Sequence, residues 1–374
     1  MAKNKLSEMD VARLLQDPSG AARADTAAKL AQQFDKGGFT AAERKMAEEI
    51  FRLMVRDAEV RVRQALSVNL KQNPQLPHDV ARTLARDVEA VSLPMLQFSE
   101  VLTPEDLIEI VRSQGAEKQK AVAKRAHVES AVADALVDSG TEEVVATLVS
   151  NQGAEITEKS LHKVVDKFGD SEAMHGPLAH RAKLPVTVTE RLVTRVSERL
   201  REHLLTHHEL PPGMAADLVM QSRERATISL STESSEDEVE ALVRQLRSNG
   251  RLTISIILRA ACMGDLKFFE YSLAVLCGIN VVSARSLIHD SGDLGLGGIY
   301  NKAGLPPQYF PAARAAVDVA RELQYDGEAN DRERYQRRMI ERILTQYGDL
   351  GVDFEKSDLE YLLTKMTQLP SHVR

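Results

Sequence analysis

The sequence predicts an all-α chain, with an α-solenoid of short helix pairs over residues 1–230 and an α-helical C-terminal domain over 231–374. Three observations carry this. A phrase recurs at Leu76, Leu102, Val128, Ile156, Leu184 and Leu210, in steps of 26, 26, 28, 28 and 26 residues. Eight and nine residues past each anchor stand apolar pairs: Leu84-Ala85, Ile110-Val111, Leu136-Val137, Val164-Val165, Leu192-Val193 and Leu218-Val219. A fixed period in this range marks repeats that hide their apolar faces only against their neighbours. The composition agrees, because Ala, Leu, Val, Arg and Glu dominate and period-two alternation is scarce.

Along the chain, Ser7 and Asp10 make a helix-start pattern, and Asp17-Pro-Ser-Gly20 stops the segment that follows. A helix is expected over 21–34, with Ala24, Ala27, Ala28 and Ala31 as a thin face and Gly37-Gly38 as its end. Thr40 and Glu43 predict a capping box opening a helix whose apolar stripe is Met46, Ile50, Leu53 and Met54. Beyond it, Asp57-Ala-Glu-Val-Arg-Val-Arg63 resembles the hallmark of HEAT repeats, an aspartate in the inter-helix turn and a Val-Arg pair opening the second helix. Asp17 and Arg23 repeat the six-residue spacing of Asp57 and Arg63. The resemblance implies a ladder of Asp and Arg between successive turns. The chemistry suits that role, since a carboxylate caps helix N–H donors and a guanidinium bridges carboxylates with fixed geometry.

The array is punctuated by proline near the first position of a helix, at Pro77, Pro104, Pro185 and Pro212. Two units share a longer phrase, Ala123-Lys-Arg-Ala-His-Val128 and Ala179-His-Arg-Ala-Lys-Leu184, which puts Arg125 and Arg181 in one register slot two repeats apart. Further phrases, among them Asn73-Pro-Gln-Leu-Pro77, Leu84-Ala-Arg-Asp87, Val91-Ser-Leu-Pro94, Leu102-Thr-Pro-Glu-Asp106, Ala121-Val-Ala-Lys-Arg125 and Asn151, are similar to the DUF2336 family over roughly residues 15–310. That resemblance implies a HEAT-like helical fold in a bacterial cytoplasm. It carries over no catalytic residue, because the family has no established activity.

Thr232-Glu-Ser-Ser-Glu-Asp-Glu238 is the sharpest composition shift, either an exposed linker or the acidic first turn of a helix, and the domain boundary is placed there. Past it, 254–262 and 266–276 read as a buried helical hairpin around Met263-Gly-Asp265, and 280–289 as another short helix. Asp290-Ser-Gly-Asp-Leu-Gly-Leu-Gly-Gly298 reads as a loop, followed by an Ala-rich helix over 312–323 and tail helices over 331–347 and 353–366.

Composition narrows the function. The 55 acidic against 48 basic residues give a formal charge of −7, which argues against a protein that coats nucleic acid. No apolar run reaches the roughly 18 residues of a membrane span, and the N-terminus lacks the apolar stretch of a secretory signal. Cys262 and Cys277, the only cysteines, stand in apolar helices and fit a reduced, cytoplasmic setting rather than a disulfide scaffold or a catalytic thiol.

The chemical motifs are weak. Gly295-Leu-Gly-Gly298 lacks both the second spacing of GxGxxG and a P-loop lysine. Asp290 and Asp293 lack the twelfth-position glutamate of an EF-hand. His203 and His207, at i and i+4, have no third ligand, so no metal and no cofactor is expected. No GxSxG elbow occurs, and no catalytic residue is assigned. Arg63, Arg125 and Arg181 are the candidate binding residues, because the guanidinium fork takes carboxylate or phosphate bidentately. The plainer reading makes them intramolecular ties. The arginines at 332–342 read as a solvated face beside Glu333 and Glu341.

The function expected is a non-enzymatic, regulatory interaction protein that docks a protein partner on an extended surface. Two alternatives stand beside it. One is a sensor for an anionic small ligand such as a nucleotide second messenger, held by arginines. The other is a HEAT-like nucleic-acid-binding or base-excision protein, which the absence of tryptophan disfavours.

Overall fold

The computed structural model describes residues 19–322 except 38, 182–183, 208–211 and 291, together with Arg334, Arg338, Glu341 and Arg342. The helix-start pattern at Ser7–Asp10, the stop at Asp17 and nearly all of both tail helices lie outside the described residues; within the tail, Arg342 pairs with Glu322 at 2.7 Å. Among the described residues the chain is all-helical, with nineteen α-helices, one 3-10 turn and no strand. It divides into two compact units, Met1–Leu184 and Pro185–Arg374.

The first unit runs α1 (Gly20–Lys36), α2 (Ala41–Met54), α3 (Val60–Leu70), α4 (His78–Ala85), α5 (Glu89–Phe98), α6 (Pro104–Ser113), α7 (Ala116–Ala123), α8 (Ser130–Ser139), α9 (Glu142–Ser150), α10 (Glu158–Phe168) and α11 (Glu172–Ala179). Odd-numbered helices pack in series, α1 on α3 and so on to α11. Of the even-numbered helices, α2 packs on α4 and α6, α8 and α10 follow one another. Each recurring anchor lies two residues before a helix: Leu76 before His78, Leu102 before Pro104, Val128 before Ser130 and Ile156 before Glu158. The paired apolar positions then fall one turn or more inside, where a 3.6-residue period turns them inward. Leu84, Ala85, Ile110, Val111, Leu136, Val137, Val164, Val165 and Val219 are buried, whereas Leu192 and Val193, expected in the same register, are only half-buried. Each fully buried aliphatic side chain contributes about 1.5–3 kcal/mol relative to exposure.

One step of the period needs adjustment. Val128 pairs with Ala154, not Ile156, through an isolated parallel bridge, with Val128 N–H donating to the Gly153 carbonyl at 3.2 Å and Glu155 N–H donating to Val128 at 2.9 Å. Ala154 is buried, whereas Ile156 is only half-buried. The connection before α10, residues 151–157, is two residues longer than that before α6, residues 99–103.

Helix α2 has the predicted Thr40–Glu43 capping box, but its buried face is Ala47 and Phe51 rather than the expected stripe. Met46 and Leu53 are 66% and 74% exposed. The Phe51 ring packs edge-on against Phe34 of α1 at 5.2 Å, and that aromatic contact sets the rotation of α2.

The second unit holds α12 (Val186–His207), α13 (Pro212–Glu233), α14 (Glu236–Ser248), α15 (Ile254–Cys262), α16 (Leu266–Cys277), α17 (Val281–Ile288), α18 (Asp293–Lys302) and α19 (Phe310–Glu322). Position 230/231, expected as the domain boundary, falls within α13. The acidic stretch behind that expectation opens α14, where Ser235 and Glu238 form a capping box and Glu236, Asp237 and Glu238 meet the positive end of the helix. Helix α16 lies against α13, α14, α15, α17 and α18. It buries Phe268, Phe269, Tyr271 and Leu273, and Asp265 caps it through the Phe268 N–H at 3.0 Å. No single described helix is long and apolar enough to cross a membrane; α16 and α17 pass such a test only together, across a bend of 113°.

The expected glycine loop at 290–298 is largely helix. From Asp293 onward it forms α18, which buries Leu296, Ile299 and Tyr300. A side chain at Gly295 would stand 2.5 Å from the Leu287 carbonyl, so glycine serves here for close helix approach. Tertiary packing overrides the low helix propensity of the residue.

Candidate functional site

The three candidate arginines fall into two kinds of contact. Arg63 lies in the first turn of α3. Its Nη2 donates to Asp87 Oδ1 at 2.9 Å, Nε donates to the other carboxylate oxygen, and Nη1 donates to the Asp57 carbonyl at 2.6 Å. Arg23 holds Asp57 in the same way from the first turn of α1, with contacts of 2.7 and 3.0 Å. Each aspartate also accepts the N–H that opens the next helix: Asp57 from Glu59 at 2.9 Å and Asp87 from Val88 at 2.7 Å. Lys118 continues the line, its ammonium donating to the Asp87 carbonyl at 2.6 Å. The hydrogen bond from Arg23 holds the Asp57 carboxyl below its ordinary range. At Asp87 burial pushes the other way and is outweighed by Arg63 and the Val88 N–H, so its pKa also falls.

Arg125 and Arg181 act at the opposite ends of the helices. Arg125 follows α7 and donates to Leu96 and Ser99 carbonyls, at the end of α5, at 2.7 and 2.8 Å. Arg181 follows α11 and donates to Val149 and Asn151 carbonyls, at the end of α9, both at 3.2 Å, and to Ala154. Between them Asn151 closes the end of α7, its amide donating to Ala123 and Arg125 carbonyls at 2.9 and 2.7 Å. A helix C-terminus leaves carbonyls without partners and carries partial negative charge, so a donor from the next helix but one satisfies both. Burial lowers the pKa of Arg125 and of Arg181, and both stay charged at neutral pH. The arginines thus do not converge on one point: Arg63 ties helix starts, while Arg125 and Arg181 tie helix ends.

Beside these end clamps lies a groove. One cavity of about 590 Å³ is lined by Gln72, Phe98, Leu102, Leu107, Lys124 and Val132 among others, and by part of Arg125. A second, shallower depression, of about 630 Å³ and wide open to solvent, shares Gln97 and Lys124 with it and extends to Thr147, Ser150 and Asn151. The lining follows the 26-residue spacing of the sequence. Gln72, Phe98, Lys124 and Ser150 stand 26 residues apart, each at the end of an odd-numbered helix, and His180 holds the same place after α11. All five are exposed, and each immediately precedes one of Asn73, Ser99, Arg125, Asn151 and Arg181. At Asn73, Arg125, Asn151 and Arg181 the side chain reaches the neighbouring helix end, which leaves residue i−1 at the surface. The amino-acid types along this row differ, so no sequence motif marks it, and only the register finds it.

The remaining chemistry is dispersed. Cys262 and Cys277 are free, and burial pushes the Cys262 thiol up to about 12 and raises that of Cys277. His175 and His180 contact the Gly169 and Gly176 carbonyls at 3.0 and 2.8 Å. His203 is exposed on α12, and the side chains of His207 and His208 lie outside the description. No group of three metal-ligating side chains occurs among the described residues. In the second unit three buried carboxylates carry arginine partners: Glu190 with Arg251 at 2.6 Å, Glu224 with Arg259 at 2.9 Å and Glu270 with Arg285 at 2.7 Å. Glu270 also contacts His289 at 2.6 Å. Each ties two or three helices together, as buried charges require.

Neither a curated protein nor a solved structure matches the chain. A family model does match, over residues 91–353, so it takes in the end clamps at Arg125, Asn151 and Arg181 and most of the second unit, and it begins downstream of the Arg23–Asp57 and Arg63–Asp87 pairs. With that span covered, the chain belongs to DUF2336, the family described as an uncharacterised protein conserved in bacteria.

Proposed function

We propose that this protein is a non-enzymatic interaction protein, with a first unit that is a HEAT-like α-solenoid docking a protein partner along the groove at the ends of its odd-numbered helices. The observation that carries the reading is the row of Gln72, Phe98, Lys124 and Ser150, exposed at one residue per repeat beside two adjoining cavities. Repeats that stack present equivalent positions at regular intervals, and such a surface suits a macromolecule better than an enclosed small substrate. The terminal nitrogens of Arg125 and Arg181 donate to backbone carbonyls, which weighs against a sensor built on those forks. A regulatory role in the cytoplasm fits a surface of this kind joined to a separately packed helical unit.

The test is comparative capture. The full chain, a Phe98→Ala/Lys124→Ala variant and an Arg112→Ala control are used as baits in the cytoplasm of the native cell. Arg112 is exposed near the C-terminal end of α6, away from the row. Proteins retained by the wild type and the control but lost by the double variant support the proposal. An identical set on all three baits refutes it.

A further inference from the structure

We infer that the groove takes an extended peptide segment of its partner, with one bulky apolar side chain in the first cavity and a single carboxylate against Lys124. This rests on the interaction reading above and adds the chemistry of what is bound. The first cavity has an apolar floor of Leu102, Leu107, Val128 and Val132, and Phe98 stands at its rim, 38% exposed. Such a lining favours an aliphatic or aromatic side chain, because it removes apolar surface on both partners from water. Lys124 ends α7, is exposed, and makes no ion pair among the described residues. It lines both cavities, so it occupies the waist between them.

Across the second cavity Glu143 is already engaged by Lys120, which leaves Lys124 as the charge open to a partner there. Glu100 and Glu129 line the first cavity and disfavour a second carboxylate on that side. The two glutamates disfavour an acidic run and favour one acid beside one apolar residue.

The dimensions suit an extended chain. Packed helices lie about 8–10 Å apart, and an extended chain advances about 3.3 Å per residue. Roughly three peptide residues therefore span one repeat, and the three steps from Gln72 to Ser150 accommodate about nine. A spacing of about three residues between the apolar side chain and the acid follows if they address neighbouring repeats.

The test is selection of a phage-displayed random dodecapeptide library on the immobilised full chain, with Lys124→Glu and Phe98→Ala selected in parallel. The expected result is a wild-type motif with an apolar residue and Asp or Glu about three positions apart. Lys124→Glu should exchange the acidic position for Lys or Arg, with unchanged melting. Phe98→Ala should weaken a synthetic peptide of the selected sequence about fivefold, as expected for loss of part of one apolar contact. Absence of an enriched motif, or a motif kept by Lys124→Glu at unchanged affinity, overturns the inference. If the comparative capture still loses a partner in the Phe98→Ala/Lys124→Ala variant while no linear motif is enriched, the peptide inference alone fails and the interaction reading stands.

Discussion

Replacing Arg125 with alanine removes the two donors that close the end of α5, at 2.7 Å to Leu96 and 2.8 Å to Ser99. A hydrogen bond to a charged group contributes about 1.5–3 kcal/mol net, so the pair carries roughly 3–6 kcal/mol before offsets. Two offsets apply. The two contacts share one guanidinium, so together they are worth less than twice a single bond. Water can reach part of the vacated space, because the residue borders the open cavity. The expected net loss is about 2 kcal/mol. For a domain of this size that corresponds to a fall in melting temperature of about 4–8 °C. The assay is thermal unfolding of the full chain followed by far-ultraviolet circular dichroism. Lys124→Ala is the control, since its neighbouring side chain is exposed and makes no ion pair. Arg125→Lys should recover about half of the loss, because one ammonium cannot reproduce the fork that meets two carbonyls. A melting temperature for Arg125→Ala within about 1 °C of the Lys124→Ala control would refute the clamp.

The other expectations concern the same framework. Asn151→Asp turns an oxygen toward the Ala123 and Arg125 carbonyls where an amide now donates to both, and should cost about 2–4 kcal/mol, more than Asn151→Ala, in urea unfolding; equal losses would count against this contact. Asp57 and Asp87 have folded pKa values below their ordinary ones, so their contribution is complete above about pH 4 and is lost as pH falls through the depressed folded values. Urea midpoints should thus drop below about pH 4 and drop less steeply in Asp57→Asn/Asp87→Asn; midpoints that stay flat or rise toward acid would contradict the ladder. A side chain at Gly153 would stand 2.0 Å from the Ala126 carbonyl, so Gly153→Ala should break the Val128–Ala154 bridge and cost about 1–3 kcal/mol, read as faster amide exchange at Val128 and Glu155. Unchanged exchange there would show that the connection yields freely.

Much of the helical framework was legible because burial imposes a period. Leu76, Leu102 and Val128 announced their helices two residues ahead, and Val137 and Val165 are fully buried as their positions required. Legibility failed where a tertiary contact overrode a local pattern. Met46 and Leu53 fit a helical stripe, yet the ring of Phe51 against Phe34 turned α2 the other way. Gly295 and its neighbours have loop composition, but the close approach of Gly295 to the end of α17 needs its lack of side chain inside a helix. Ile156 kept the spacing to its helix, while the backbone bridge selected Ala154 as the partner of Val128. The shared slot of Arg125 and Arg181 was visible in the sequence, but which atoms they meet was not, because a guanidinium serves a carbonyl or a phosphate with the same fork. The exposed row at Gln72, Phe98, Lys124, Ser150 and His180 had no residue type in common, and its order appears only once the clamped neighbours define the register.

Site-specific photocrosslinking in the native cell tests the central claim most directly, with a photoreactive side chain placed in turn at Gln72, Lys124, Ser150 and Arg112. One shared adduct is expected from the three positions of the row and none from Arg112, at the other end of the helices. Adducts of equal yield from Arg112, or none from Lys124 and Ser150, would mean that this groove is not where the protein meets its partner.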